Sequence, residues 1–262
     1  MENAFSLSPN PNFLYQNDVI KQALHKLRYV VNERQGLTGL IGEPGLGKSS
    51  VLRLFISELQ ADENYAVIFV PTPSYATEFA FLKGISAQLE IPSKRSHQLQ
   101  EAAFLNKLLE LAQAGKHAVL LIDEAQRLPG KQLEITRTLI NFETDEQKLI
   151  TVVFAAQMEL YDRLKHPSKK ALRSRIIFPT MLSPLSLSDT SKMIEFRCKQ
   201  AEMPVPFPAE TIKEIYEAAG GNPRDILKIA AAAYQIMMLR EMTYVPAEAI
   251  ASVVKEARLN YD

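Results

Sequence analysis

The stretch Gly42-Glu-Pro-Gly-Leu-Gly-Lys48-Ser49 decides the fold of this 262-residue chain. It matches the pattern G-x-x-x-x-G-K-[ST] and lies between an apolar segment, residues 37–41, and a segment with helical spacing, residues 49–60. A strand, a glycine-rich turn and a helix in this order are typical of a phosphate-binding loop. The glycines let backbone amides turn toward phosphate oxygens, and the helix directs its positive end at the same anion.

This loop predicts a binding site for a nucleoside triphosphate with Mg²⁺. Lys48 would place its charge on the β- and γ-phosphates, and the Ser49 hydroxyl would coordinate Mg²⁺. The other residues predicted to contact the nucleotide belong to the same loop and are Glu43, Pro44, Gly45, Leu46, Gly47 and Ser50.

A second motif, residues 117–124, is an apolar run that ends in Asp123 and Glu124. At the carboxyl end of a buried strand, Asp123 would hold Mg²⁺ through water, and Glu124 would orient and polarise the attacking water. Phosphoryl transfer depends on positioning and charge neutralisation, so few residues suffice. Because acidic residues in such a position also cap helices, the catalytic interpretation depends on the phosphate loop that precedes the motif.

Four further residues complete the predicted site. Gln157 follows the apolar segment 150–156 and would sense the terminal phosphate. Arg173 and Arg175 would complete the site of a neighbouring subunit, because a guanidinium group is planar and always charged; surface ion pairs are the alternative. Arg224 follows two glycines, an asparagine and a proline at a helix start, where it would contact bound nucleotide.

Apolar strand-length segments alternate with helical segments in the first part of the chain. This alternation predicts an α/β fold with a parallel five-stranded sheet and helices on both faces. From residue 188 onward only helical spacing is found, which predicts a small all-helical domain. We therefore predict an arm over residues 1–16, an α/β domain over 17–187 and a helical domain over 188–262, which would be the ATPase domain and its lid if the motifs belong to a nucleotide-hydrolysing family. The predicted strands are residues 37–41, 66–70, 118–122, 149–155 and 176–181.

The charge balance, the cysteine content and the apolar runs limit the kinds of site and compartment that the sequence allows. Thirty basic residues balance thirty acidic ones, so any nucleic-acid site would have to be a local patch. The single cysteine, Cys198, cannot form an internal disulfide, which fits a reducing compartment. The apolar runs are shorter than the roughly 20 residues that a membrane span needs, and the N-terminus lacks the features of a signal peptide. We expect a cytoplasmic protein that does not itself insert into a membrane.

The motifs together resemble the AAA+ ATPases. GEPGLGKS and LLIDEA look like Walker A and Walker B, LRSRI resembles the arginine-finger segment, and GGNPRD resembles the sensor 2 segment. Gln157 stands where the family has sensor 1, which is more often asparagine. The stretches FSLSPNPNFLY and NFETDEQKLITVVFAAQMELYDRL are most similar to the branch that contains the ExeA/GspA secretion ATPases and the TnsC-like and MuB-like transposition regulators.

The resemblance implies an ATP-dependent ring or helical homo-oligomer. In this branch the N-terminal arm lies near the adenine, so Phe13, Leu14 and Tyr15 are candidate base contacts; packing against the lid is the alternative. ExeA-like proteins carry a membrane span and a peptidoglycan-binding region after the ATPase. This sequence contains neither, so we expect either an excised ATPase domain or a free-standing member of the branch, and Met1 directly before the arm fits the free-standing case.

Three physiological roles follow from the resemblance. The first is a DNA-binding regulator of transposition that assembles on duplex DNA and recruits a transposase. The alternative is the ATPase domain of an ExeA/GspA-like secretion or cell-envelope assembly system that acts on a membrane partner. A third role is a nucleotide-gated scaffold with little hydrolysis. The candidate DNA contacts are loop and helix residues that could reach backbone phosphates, namely Ser74, Tyr75, Thr77, Lys83, Lys94, Arg95 and Lys131.

Overall fold

The computed structural model describes residues 3–8 and 10–258, with side chains described as far as residue 255. Its sheet has five parallel strands in the order β2–β3–β4–β1–β5. Every residue of β1, β3 and β4 is buried, as expected of central strands in a parallel sheet that is covered on both faces. The strands are β1 (Leu37–Ile41), β2 (Tyr65–Val70), β3 (His117–Ile122), β4 (Ile150–Ala156) and β5 (Thr180–Met181).

The described residues form eleven α-helices, seven in the part of the chain that forms the sheet and four after it. The first seven are α1 (Asp18–Asn32), α2 (Lys48–Gln60), α3 (Glu78–Ala87), α4 (His97–Gln113), α5 (Gly130–Leu139), α6 (Met158–Lys165) and α7 (Lys170–Arg173). The last four are α8 (Leu187–Gln200), α9 (Ala209–Ala219), α10 (Pro223–Leu239) and α11 (Ala247–Arg258). The predicted α/β fold with C-terminal helices is confirmed.

The fifth strand is much shorter than the predicted segment 176–181. Ile176 forms a bridge with Leu37, and the Ile177 amide donates to the Leu37 carbonyl oxygen at 2.8 Å. Phe178 then adopts the left-handed conformation, with φ at 48°, which strand pairing does not tolerate. The chain pairs with β1 again only at Thr180, so a single left-handed residue divides the edge strand.

The chain divides into two compact units. One consists of Ile20–Glu43 and Val51–Met181 and contains the sheet. The other consists of the described residues up to Val19, the segment Pro44–Ser50, and the described residues from Leu182 onward. The predicted domain boundaries after residues 16 and 187 stay predictions.

The helical unit has its own apolar core. Ile194 on α8, Ile215 on α9 and Ala230 on α10 are completely buried there. The N-terminal arm contributes Phe5, whose ring centroid lies 5.4 Å from that of Phe207. The arm therefore packs as part of this helical core.

A buried arginine on α8 fixes the arm. The Arg197 guanidinium donates to the carbonyl oxygens of Ala4 at 2.6 Å, Ser6 at 2.8 Å and Phe13 at 2.9 Å. Burial lowers the pKa of Arg197 to about 10, which still leaves it charged at neutral pH. Its guanidinium carbon also lies 5.2 Å from the centroid of the Phe13 ring.

These contacts bear on the role predicted for Phe13. Its side chain is only 4% exposed and lies in the helical core, where Arg197 covers the ring. This burial favours packing against the lid, the alternative interpretation of the arm. The adenine contact of Phe13 stays a prediction.

We predict that Arg197→Met destabilises the helical unit. The substitution removes the donors of three backbone carbonyls, and a buried acceptor without a partner costs about 1–3 kcal/mol. The free energy of unfolding, measured by urea denaturation, should fall by about 2–4 kcal/mol. Lys199→Met, an exposed position on the same helix, is the control. Equal stability of the two variants would contradict the role assigned to Arg197.

Candidate ATP-binding and hydrolysis site

One edge of the sheet collects the functional segments that follow three strands. Because β3, β4 and β1 are parallel neighbours, their carboxyl ends lie side by side. Asp123 follows β3, Gln157 follows β4 and Gly42 follows β1. The Gly42 amide donates to the carbonyl oxygen of Ala156, the last residue of β4, at 3.2 Å. The phosphate loop thus starts next to the end of β4.

The phosphate loop has the backbone that its glycines predict. Gly45 and Gly47 have φ values of +87° and +93°, which L-residues with side chains rarely adopt, and α2 begins at Lys48. A Cβ atom added to Gly47 would have no neighbour within 4 Å. The loop therefore leaves space beside Gly47 at the helix N-terminus, where backbone amides bind anions.

The turn before α10 holds the phosphate loop. The Asn222 side-chain amide donates to the Pro44 carbonyl oxygen at 2.8 Å, and the Arg224 backbone amide donates to the Gly45 carbonyl oxygen at 3.3 Å. The Asn222 side-chain oxygen also accepts from the Arg224 amide at 3.0 Å, which caps α10. The sequence singled out Arg224 but not Asn222, whose contacts with the loop become visible only in three dimensions. The Arg224 side chain is exposed, and its contact with nucleotide stays a prediction.

Two acidic residues end β3 in different environments. Asp123 is buried, with 7% of its surface exposed, and its Oδ1 accepts from the Glu124 amide at 2.9 Å. Glu124 adopts the left-handed conformation, with φ at 51° and ψ at 38°. For a residue other than glycine this conformation costs about 1–3 kcal/mol and is concentrated at functional sites.

Glutamine side chains hold the Glu124 carboxylate. Gln126 donates from Nε2 to Glu124 Oε2 at 2.6 Å, and Gln157 donates to the same oxygen at 3.4 Å. At sensor 1 this chain has Gln157 where asparagine is more common, and the contact with Glu124 depends on the length of that side chain. An asparagine is one methylene shorter, so the longer glutamine extends the reach of the amide toward Glu124.

Arg163 on α6 fixes the turn that carries Gln126. Its guanidinium donates to the carbonyl oxygens of Gln126 at 2.6 Å and Leu128 at 2.8 Å. Neither Gln126 nor Arg163 lies in a recognised spacing, so neither could be identified as a site residue from the sequence. The one available signal was the position of Gln126 two residues after Glu124.

The arginines of the predicted finger segment lie at and just after α7. Arg173 is exposed and donates to the Lys165 carbonyl oxygen at 3.1 Å. Arg175 is half-buried and donates to the Ala171 carbonyl oxygen at 2.6 Å. Both side chains are thus held by local backbone, and their action on a neighbouring subunit stays a prediction.

An ion-pair network anchors the chain just before the finger segment. Lys169 donates to Glu134 Oε1 at 2.8 Å, and Arg137 donates to Glu134 Oε2 at 2.6 Å. These hydrogen bonds, that from Lys169 first, lower the pKa of Glu134. Since Glu134 lies on α5, its ion pair with Lys169 links this helix to the residue that directly precedes α7.

Leu14 and Tyr15, the other predicted base contacts, are both half-buried. The Tyr15 ring centroid lies 6.1 Å from that of Phe196. Burial, with a smaller contribution from Asp189, raises the pKa of Tyr15. Adenine contacts of Leu14 and Tyr15 stay predictions.

Three of the candidate DNA contacts are engaged within the fold. Tyr75 packs edge-on against Phe81, with ring centroids 5.3 Å apart, and burial raises its pKa. The Thr77 hydroxyl accepts from the Ala80 amide and caps α3. The Lys83 ammonium lies over the ring of Phe79, 4.2 Å from its centroid. Ser74, Arg95 and Lys131 are exposed, and Lys94 is half-buried.

The residues of the two motifs suit a magnesium–nucleotide complex. Mg²⁺ prefers oxygen ligands and is commonly bound through one or two carboxylates together with substrate phosphates. Ser49 and Asp123 offer a hydroxyl and a carboxylate, both hard oxygen donors. Lys48, which is 6% exposed, supplies the cationic group of the loop.

The parallel sheet, the phosphate loop after β1 and the acidic pair after β3 define the class of this chain as a P-loop nucleoside triphosphatase. A family model described as an AAA domain matches residues 31–164, about half of the chain. The chain belongs to the AAA+ ATPases, in the ExeA/GspA-like branch.

One curated relative carries a functional name. The chain is 35% identical over 226 residues to "General secretion pathway protein A" of Aeromonas hydrophila, an alignment that covers 85% of this chain and 41% of that protein. The chain thus spans about two fifths of the relative's length.

Solved structures share the fold at low sequence identity. The Aeropyrum pernix ORC2 protein, solved as ADPNP–ADP complexes, has a TM-score of 0.71 and 13% identity, covering 97% of this chain and 70% of that one. The Drosophila ORC bound to DNA has a TM-score of 0.69 and 17% identity, covering 98% of this chain and 66% of that one. Such likeness shows the fold alone. Among the described residues, no helix is both long and apolar enough to cross a membrane.

We predict that Gly45→Ala is more damaging than Gly47→Ala. Both glycines have positive φ, so both substitutions strain the backbone. Only a Cβ at position 45 would also overlap the Asn222 side-chain oxygen and come within 3.0 Å of the Arg224 Cβ. Thermal unfolding should show a larger loss of stability for Gly45→Ala. Equal losses would indicate that the Asn222 contact contributes nothing.

Proposed function

We propose that this protein binds Mg-ATP and hydrolyses it to ADP and phosphate. The proposal depends on one observation: a single sheet edge carries the start of the phosphate loop, Asp123, Glu124 and Gln157. Glu124 has a strained backbone conformation and a carboxylate held by amide side chains, which supports a role for this residue in activating water. The proposed roles follow from the chemistry of each residue.

Lys48 and the loop amides bind the phosphates, while Ser49 and Asp123 hold Mg²⁺, which supplies charge neutralisation when it is bound. Glu124 aligns the attacking water and accepts its proton. Gln157 senses the terminal phosphate, and Arg224 responds to the nucleotide from the turn before α10. The other loop residues from Glu43 to Ser50 contribute backbone contacts, and Leu14 and Tyr15 are proposed to contact the base.

We further propose that the active form is a homo-oligomer in which Arg175, and with it Arg173, acts on the nucleotide of a neighbouring subunit. Arginine supplied in trans stabilises transition-state charge in other phosphoryl-transfer proteins. Both residues lie close to the anchored Lys169, which supports a defined position for this segment. The arrangement requires that the hydrolysis rate per subunit rise with protein concentration.

For the physiological role we propose the ATPase unit of an ExeA/GspA-like secretion or cell-envelope assembly system, working in the cytoplasm on a membrane partner. The relative named General secretion pathway protein A supports this role. Recruitment of a transposase on duplex DNA has weaker support, because Tyr75, Thr77 and Lys83 serve the fold internally. A measured hydrolysis rate distinguishes the third role, a scaffold that hardly hydrolyses ATP, from the secretion and transposition roles.

Calorimetry with Mg-ATP and Mg-ADP tests the proposed activity. The parent should bind both nucleotides, and Lys48→Ala should lose binding because the loop loses its charge on the phosphates. Glu124→Gln should keep ATP affinity while its hydrolysis rate falls at least about 100-fold, since the base is removed. Absence of binding to the parent would refute the proposal. Parental hydrolysis by Glu124→Gln would refute the role of Glu124 alone.

Fluorescence anisotropy with a labelled DNA duplex tests the physiological role. In low salt, with and without a non-hydrolysable ATP analogue, we expect no nucleotide-dependent rise in anisotropy, because three of the seven candidate contacts are engaged within the fold. An Arg95→Ala/Lys131→Ala double variant, at two exposed positions, is the control. ATP-dependent, salt-sensitive binding that this variant lacks would favour the DNA-binding regulator instead.

A further inference from the structure

Gln126 uses both ends of its side-chain amide. Its Oε1 accepts from the Gln157 backbone amide at 3.1 Å, and its Nε2 donates to Glu124 Oε2 at 2.6 Å. A backbone N–H can only donate, so the oxygen of the side-chain amide must face it. The NH₂ group is thereby left facing the carboxylate. The network itself fixes the orientation of this amide.

The turn that carries Gln126 is fixed independently. Arg163 donates to the Gln126 backbone carbonyl oxygen at 2.6 Å and to that of Leu128 at 2.8 Å. Gln126 is therefore held at its backbone by α6 and at its side chain by the end of β4. A side chain fixed at both points can determine where a neighbouring carboxylate lies.

The two oxygens of the Glu124 carboxylate differ in their surroundings. Both amide donors, from Gln126 and Gln157, converge on Oε2. In the described part of the chain no hydrogen bond reaches the other oxygen, Oε1. This asymmetry sets the rotation of the carboxylate and leaves Oε1 as the atom that can accept a hydrogen bond from water.

We infer that Gln126 is a positioning residue that orients Glu124 for attack by water and connects its orientation to the end of β4. The inference rests on the proposed ATP hydrolysis. Gln126 itself is assigned no contact with nucleotide. Because its Oε1 is bound to the Gln157 backbone amide, a shift of the sensor residue would move the amide that holds Glu124.

Two substitutions separate the donor from the acceptor role of Gln126. Gln126→Glu keeps an oxygen for the Gln157 amide but removes the donor and sets a second carboxylate against Glu124. Gln126→Met removes both contacts at nearly equal length. Each should lower kcat about 10- to 100-fold, the scale expected when a reacting group is misplaced by about 1 Å. KM and the calorimetric Kd for ATP should stay within about two-fold of the parent, because the phosphate loop is untouched.

Gln98→Glu and Gln98→Met are the matched controls, since Gln98 is exposed on α4. Both should keep the parental kcat. If Gln126→Met keeps a kcat within about two-fold of the parent, the loss is no larger than that of an ordinary substitution, and the inference is overturned. Loss of ATP affinity together with kcat would assign Gln126 to the structure of the site and would overturn the positioning role.

A double-mutant cycle gives a readout that a merely structural role would not produce. In a Glu124→Asp background the carboxylate is one methylene shorter and withdraws from Gln126, so Gln126→Met should change kcat less than about two-fold. Losses that multiply would show that Gln126 acts independently of Glu124 and would overturn the inference. If the parent binds ATP but the cycle shows no coupling, this inference fails alone. If the parent binds no ATP, the proposed function fails as well.

Discussion

The parallel pairing of β3, β4 and β1 is the constraint on which the rest of the structure depends. Because these strands run in one direction, three segments far apart in sequence end at the same edge. Every residue of these three strands is buried, and the candidate site residues lie in the segments that follow the strands. The pairing sets the positions of these segments, because a change of register by one residue would turn the side chains of a strand to the opposite face of the sheet and displace the segment that follows it.

Much of the fold and the motif positions could be predicted from the sequence, because buried strands and phosphate loops leave local signals. The apolar run before Gly42 and the glycines after it are such signals. The length of β5 could not be predicted, since apolar composition does not reveal that Phe178 turns left-handed. Gln126 and Asn222 were also missed, because their partners lie across the fold and no spacing encodes them.

The environments of charged residues were harder to predict from the sequence than the backbone of the glycine-rich loop. Arg197 was simply a helical residue in the sequence, yet it is buried and carries the arm. Lys83 was a candidate phosphate contact, yet it lies over an aromatic ring. A charge in a sequence indicates neither its exposure nor its partner, whereas a glycine pattern constrains the backbone directly. This difference explains why the loop was the more predictable part of the site.

The way in which Arg197 holds the arm has a consequence for how the arm can evolve. The hydrogen bonds of the guanidinium go to main-chain carbonyls alone, at Ala4, Ser6 and Phe13, and do not depend on which side chains those residues bear. Away from residues such as Phe5 and Phe13, whose side chains pack in the helical core, the sequence of the arm could therefore vary without loss of these hydrogen bonds. The number of residues between those three carbonyl oxygens cannot vary in the same way. Inserting or deleting one residue in the arm would move an acceptor oxygen away from the guanidinium, whose donors have a fixed geometry.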